Sequence, residues 1–180
     1  MEKPYEAVGP VRTPGQGSVY RTIKVRVYTG KEIVPGKGSQ ASWQEWQLPY
    51  AVVLSQACDL ASHFLPSDDN DKQLFSVLVC PAYPDFSFRA GTHLSELKWS
   101  MLRQNSERWG VIQKNNDPRY HYLSSCPDLQ VQSTVVDFKH YFSLSVQTLS
   151  GEYSDNTHYI ARLTCPYREH ISQRFAAYLS

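Results

Sequence analysis

The chain has no run of about 18 consecutive apolar residues, so its sequence offers no membrane-spanning helix. Its first residues, MEKPYEAVGPVR, lack the apolar centre of a secretory leader, and the expectation is a cytoplasmic protein with reduced thiols. Cysteine is sparse. Cys58, Cys80, Cys126 and Cys165 stand far apart with no C-x-x-C pair, and no two histidines fall at the short spacing of zinc sites. A disulfide framework and a zinc site are therefore both disfavoured, and neither a metal nor another cofactor is expected. Charge of one sign is missing as well: the formal net charge is +1, which neither selects nor excludes a polyanionic partner. No internal repeat is present.

What remains is enough for one domain over residues 1–180, with 41% hydrophobic residues to fill a core. The 12 tyrosines have apolar bodies and polar tips, which suit half-buried sheet surfaces and interfaces. Residues 1–18 are rich in Pro and Gly and read as an arm or loop. Ile23, Val25 and Val27 then alternate with Lys24, Arg26 and Tyr28, the pattern of a strand with a core face and a basic face. Residues 29–40 read as an exposed loop, and Trp43 with Trp46 as a short turn that caps the sheet. Apolar runs at 50–54 and 74–79, and the β-branched segment 131–138, read as further strands, with 86–89 and 119–123 as short ones. Residues 60–72 read as a flexible acidic loop, and 91–118 as a helical insertion in which Leu94, Leu97 and Met101 recur at helical spacing. A terminal helix follows Thr164 and Pro166, with Tyr167, Ile171 and Phe175 on one face. The expected fold class is mainly β, α+β overall, with an inserted helical segment and a C-terminal helix.

Three segments carry a family likeness: Gly17-Ser18-Val19-Tyr20, then Pro49-Tyr50-Ala51-Val52-Val53-Leu54-Ser55, then the run Leu74 to Pro81. Together with Val135-Val136-Asp137-Phe138-Lys139 they resemble the strands of the MazF/PemK toxin family. The resemblance implies a small SH3-like β-barrel closed by the C-terminal helix. Nucleases of that family carry an Arg before the Pro of the second strand and a Thr or Ser after the Pro of the third. Here those positions hold Leu48, and Ala82 with Tyr83. An uncharged Leu cannot stabilise charge building on a phosphate, so the family's nuclease residues are not matched.

Other residues are the candidates for chemistry. The strand at 50–54 runs into Gln56-Ala57-Cys58-Asp59, a polar corner where a rigid element hands over to a loop. Cys58 and Asp59 read either as a thiol beside an acid, or as a small structural cysteine with the Asp capping a turn. Arg119 and His121 are two apart on a short strand and are expected on one sheet face, suited to phosphate or to proton transfer, or simply to solvent. Asp137 and His140 form a similar pair near a later strand end. Arg21, Lys24, Arg26 and Tyr28 make a basic, aromatic surface for RNA or single-stranded DNA, or else a set of charges paired with the acidic loop.

The leading expectation is a binding component of a prokaryotic toxin or phage-defence system, for nucleic acid or a partner protein, with a homodimer as one possibility and no membrane partner. The genetic context rests on the resemblance alone. The alternatives are a divergent ribonuclease using Arg119, His121 and Asp59, a hydrolase dependent on Cys58, or a structural subunit of a larger complex.

Overall fold

The computed structural model describes residues 4–10, 12–36 and 38–180. The mainly β, α+β class holds. All the strands pair antiparallel in one curled eight-stranded sheet: β1 (Tyr5–Glu6), β2 (Ser18–Val34), β3 (Gly38–Val53), β4 (Ser76–Pro84), β5 (Tyr120–Leu123), β6 (Thr134–Asp137), β7 (Phe142–Ser145) and β8 (Tyr159–Leu163). Their order is β1-β8-β2-β3-β4-β6-β5, with β7 paired to the first half of β4. Four α-helices accompany them: α1 (Ala57–Phe64), α2 (Asp85–Ala90), α3 (Ser106–Gln113) and α4 (Tyr167–Leu179). Among the described residues, no helix is long and apolar enough to cross a membrane.

Both faces of the sheet are covered, so its central strands are apolar at almost every position rather than alternating. On one face Tyr20, Ile23, Trp46, Leu48, Val79 and Tyr83 pack with Leu60 of α1, Phe88 of α2 and Trp109 and Ile112 of α3. On the other, Val19, Val52, Cys80, Val136 and Leu163 pack with Ile171 and Phe175 of α4, the stripe expected of the terminal helix. β4 serves both, with Val77, Val79 and Tyr83 on the first face and Cys80 and Ala82 on the second.

The central hairpin β2–β3 departs most from the sequence reading. Residues 29–34 and 38–40 are not a loop, and Trp43 and Trp46 do not form a capping turn. They belong to two strands paired from Val19↔Val52 out to Val34↔Gly38. At Thr22, which has a φ of 58°, and opposite it at Pro49, both strands change which side faces the first core. Tyr20 and Ala51 point inward before the switch, Ile23 and Leu48 after it. Lys24, Arg26 and Tyr28 therefore face outward together. Beyond Val25 and Trp46 the hairpin leaves the core and projects as an arm exposed on both faces.

The insertion also differs. Residues 86–89 are helical, in α2, and within the insertion at 91–118 the pattern through Leu94, Leu97 and Met101 forms only a 3-10 turn at Ser95–Leu97, with α3 following it. Gly91 ends α2 in the left-handed region at φ 75°, and Lys98 ends the turn at φ 59°. A Cβ at Gly91 would lie 2.2 Å from the Met101 carbonyl oxygen, so the returning chain packs on the bare glycine. The acidic segment begins within α1, because Ala57, Leu60, Ala61 and Phe64 supply a short apolar side that the Asp-rich composition obscures.

Gly36, at φ 78°, has nothing near its missing Cβ. Gly36→Ala should cost about 1–2 kcal/mol, the conformational penalty alone. Gly91→Ala should cost at least twice as much, because the Met101 backbone must also move; urea unfolding of the two variants measures the difference.

Candidate functional site

Arg119, Asp137 and His140 converge. Asp137 ends β6 opposite Tyr120 of β5, and its side chain is wholly buried. Such a carboxylate is tolerable only with donors on its oxygens. Arg119 supplies two, Nε to Oδ1 at 2.9 Å and Nη2 to Oδ2 at 2.7 Å, in the two-pronged geometry that matches a carboxylate. The Lys139 amide donates to Oδ1 at 3.0 Å. His140 Nδ1 lies 2.9 Å from Oδ2, close enough for charge attraction but off the line of a straight hydrogen bond. Burial alone would raise the Asp137 pKa; Arg119 and His140 outweigh it and bring it down to about 2. The Arg119 guanidinium also lies over the Tyr120 ring, 4.7 Å from its centre.

His93 and Trp99 of the insertion border this centre. The His93 ring lies 4.7 Å from both the Tyr83 and the Phe88 ring, and neither of its nitrogens meets a hydrogen-bonding partner. Burial lowers its pKa to about 4, against an opposing pull from Asp137. Trp99, half-exposed, is 6.2 Å from the His140 ring. Sequence reasoning missed both residues, since the insertion was read as one regular helix.

His121 is on the other side of the sheet, so Arg119 and His121 do not share a face. Arg119 precedes β5, and Asp137 draws its side chain to the Tyr120 side. His121, 1% exposed, instead packs beside Phe138 and the His170 ring of α4. Burial, then Arg174 and His170, push its pKa down to about 3.

Gln56, Cys58 and Asp59 open α1, all exposed, along a groove of about 800 Å³ between α1 and α4. Cys58 Sγ lies 3.5 Å from Gln56 Oε1 and 3.6 Å from Asp59 Oδ1, both acceptors. Among the described residues the groove lining contains no Lys, Arg or His, so no cationic side chain there favours a thiolate nucleophile. Arg119, His121 and His140 do not line it. Ser55, just before, is a strut: its Oγ accepts from the Leu78 amide at 2.8 Å. Among the described residues, no three His, Cys, Asp or Glu side chains are placed to hold a metal ion.

The expected basic surface lies along the arm. Arg21 donates to the Thr157 carbonyl at 3.4 Å, near the body. Lys24, Arg26 and Tyr28 stand opposite Gln47, Glu45 and Trp43 on one outward face. Lys24 Nζ meets Glu45 at 2.9 Å, while Tyr28 and Trp43 make an edge-to-face pair with ring centres 5.3 Å apart. These rings are 51% and 59% exposed, so the pair buries little on its own chain and is open to a partner. Among the described residues, the ion pair of the acidic segment is internal, Lys72 with Asp69, and does not reach the arm. Trp43 belongs to this surface; its position opposite Tyr28 becomes readable once the hairpin is recognised.

No protein-family profile, curated protein or solved structure matches this chain.

His121 is neutral in the fold and protonatable when unfolded, so its contribution to stability is complete above pH about 6.5 and is lost as pH falls toward 3. For one such group the loss approaches about 1.4 kcal/mol per pH unit. His121→Leu should flatten the decline in urea-unfolding free energy between pH 6.5 and 4.5; a decline as steep as the wild type's would show that His121 is not the group responsible.

Proposed function

We propose that this protein binds single-stranded nucleic acid, RNA or DNA, through the outward face of its β2–β3 arm. The observation that carries the reading is the exposed Tyr28–Trp43 pair beside Arg26 and Lys24 on a ribbon that packs on nothing. Unpaired bases stack on exposed aromatic rings whatever their sequence, and cations alongside contact the phosphates. The Lys24–Glu45 pair does not oppose this. It is solvent-exposed, worth about 0–1 kcal/mol, and a phosphate can compete for the lysine. Arg21 and Lys31 extend the same track toward the body and the tip.

The curled sheet with a helix on one face supports the SH3-like barrel implied by the sequence resemblance to the MazF/PemK toxins. With that family's nuclease residues absent, the role proposed is that of a non-nuclease binding component of a toxin or phage-defence system. In this reading binding is non-specific in sequence and sensitive to salt. With about three phosphate contacts, log affinity should fall against log salt with a slope of about −2. Lys24→Glu with Arg26→Glu should weaken binding of a 20-nucleotide oligomer at least about tenfold, and Trp43→Ala should remove about 1–3 kcal/mol with little change in salt slope. Fluorescence anisotropy measures both, and no binding at low salt would refute the reading.

A second reading, hydrolysis at the Asp137 centre, is favoured by one observation: the His140 ring stands beside a buried carboxylate, Nδ1 2.9 Å from Asp137 Oδ2, a juxtaposition of imidazole and acid suited to proton transfer. It ranks second because Arg119, the cation bonded at this centre, has both prongs committed to Asp137 and not turned to a substrate. If it is right, the chain should cleave an oligonucleotide in excess chelator, and His140→Ala should abolish cleavage while leaving the arm's binding intact.

A further inference from the structure

We infer that the arm is half of an interface, and that the open edge of β3 pairs with the same edge of a second copy of this chain, antiparallel about a two-fold axis at Trp43. A two-stranded ribbon without a packed face is marginally stable in water; three or more strands are needed for independent stability. Here the ribbon continues past the last residue pair that has a core beneath it, so the missing strands must come from elsewhere.

The two edges of the arm are unlike. The β2 edge is guarded by Lys24, Arg26, Lys31 and Glu32 and by the bulge between Tyr28 and Gly30. Charges and bulges of this kind prevent strand addition. Near the body that edge is already occupied: the Arg21 amide donates to the His158 carbonyl at 2.8 Å and the Lys24 amide to the Tyr153 hydroxyl at 3.1 Å. The β3 edge has none of these devices. From Gly38 to Leu48 it carries one charge, Glu45, with no proline and no bulge of its own. β4 covers β3 only from Tyr50 to Val53.

The ladder fixes which groups that edge offers. The Lys24 amide points away from β3, so Lys24↔Gln47 is a pair that makes no hydrogen bonds across the hairpin. Alternation then turns the amides and carbonyls of Gln47, Glu45, Trp43 and Ala41 outward. The open stretch 38–48 has its midpoint at Trp43. An axis there matches the whole stretch to its copy, sets Trp43 against Trp43 of the second copy, and sets Glu45 against Ala41. An axis two residues nearer the body would oppose the two Glu45 carboxylates, which is unfavourable. From Trp43 to Tyr50 is about 24 Å at 3.4 Å per residue, so the two bodies lie at opposite ends without collision. The product is a four-stranded sheet with Lys24, Arg26 and Tyr28 of both copies on one face. The pairing itself is independent of the nucleic-acid reading.

The test is sedimentation velocity of the full chain, freed of nucleic acid, from about 1 to 100 µM in high salt, with the monomer at 20.6 kDa. A dimer of twice that mass is expected, unaffected by Lys24→Glu with Arg26→Glu, so the binding reading can fail without it. Ala41→Pro removes an outward donor that the hairpin does not use, and should raise the dimer dissociation constant at least about tenfold. In a Cys58→Ser, Cys165→Ser background, Ser42→Cys with Gln44→Cys should give an oxidised covalent dimer, because the proposed register sets 42 opposite 44 of the second copy. That cross-link decides the matter should Ala41→Pro unfold. A monomer throughout, including one that instead takes up an extended peptide of another protein on this edge, would overturn the proposal, as would a dimer that neither cross-links at 42 and 44 nor responds to Ala41→Pro.

Discussion

The pairing of β2 with β3 is the constraint from which the rest follows. One ladder, bulged only between Tyr28 and Gly30, runs from the middle of the body to the tip of the arm. A strand can present a given residue only up or down, so the simultaneous change of sides at Thr22 and Pro49 decides the fate of every residue beyond it. Without it, Ile23, Val25, Trp46 and Leu48 would leave the first core, Lys24 would point into it, and Arg26 and Tyr28 would turn to the opposite face of the arm. The same local event completes the packing and creates the basic aromatic face.

The polar residues separate into those that hold the fold and those that remain available. Asp137 is committed: three donated hydrogen bonds and the nearby His140 ring surround its carboxylate, and a buried charge so placed ties β6, Arg119 and the turn at Phe138–His140 together. Breaking such a cluster from one side leaves the other charge stranded, which is why it is structurally demanding whether or not it does chemistry. The Gln56–Asp59 corner is the opposite case. It is open to solvent along a groove, but the side chains nearest the Cys58 thiol are acceptors and the described lining carries no cation, and openness without a complementary charge has no chemical direction.

Much of the body was legible in the sequence. The strands near 50–54, 74–79 and 131–138 announce themselves through β-branched apolar runs, and α4 through Ile171 and Phe175 at helical spacing. The arm was not, because its outer residues, Ser, Gln, Gly and Lys, have the composition of a loop and their pairing is a property of two segments read together. The insertion was misread because Leu94, Leu97 and Met101 keep a helical spacing while Gly91 and Lys98 turn the backbone left-handed around them. The face of Arg119 was lost for a third reason: alternation governs residues within a strand, and Arg119 lies one position before β5, where the pull of Asp137 decides. The convergence of Arg119, Asp137 and His140 depended on β5 pairing with β6, which no local pattern encodes.

Because the described residues of the outer hairpin lie outside both cores, its reach is uncoupled from the packing of the body. Removing one residue from each strand would shorten it while turning the surviving tip over, and removing two from each would shorten it with the orientation kept. Extension is therefore quantised in steps of about 7 Å, the repeat of the pleat. Drift in this gene could lengthen or trim the projection in those steps, altering what it spans, while every buried contact beneath stays as it is.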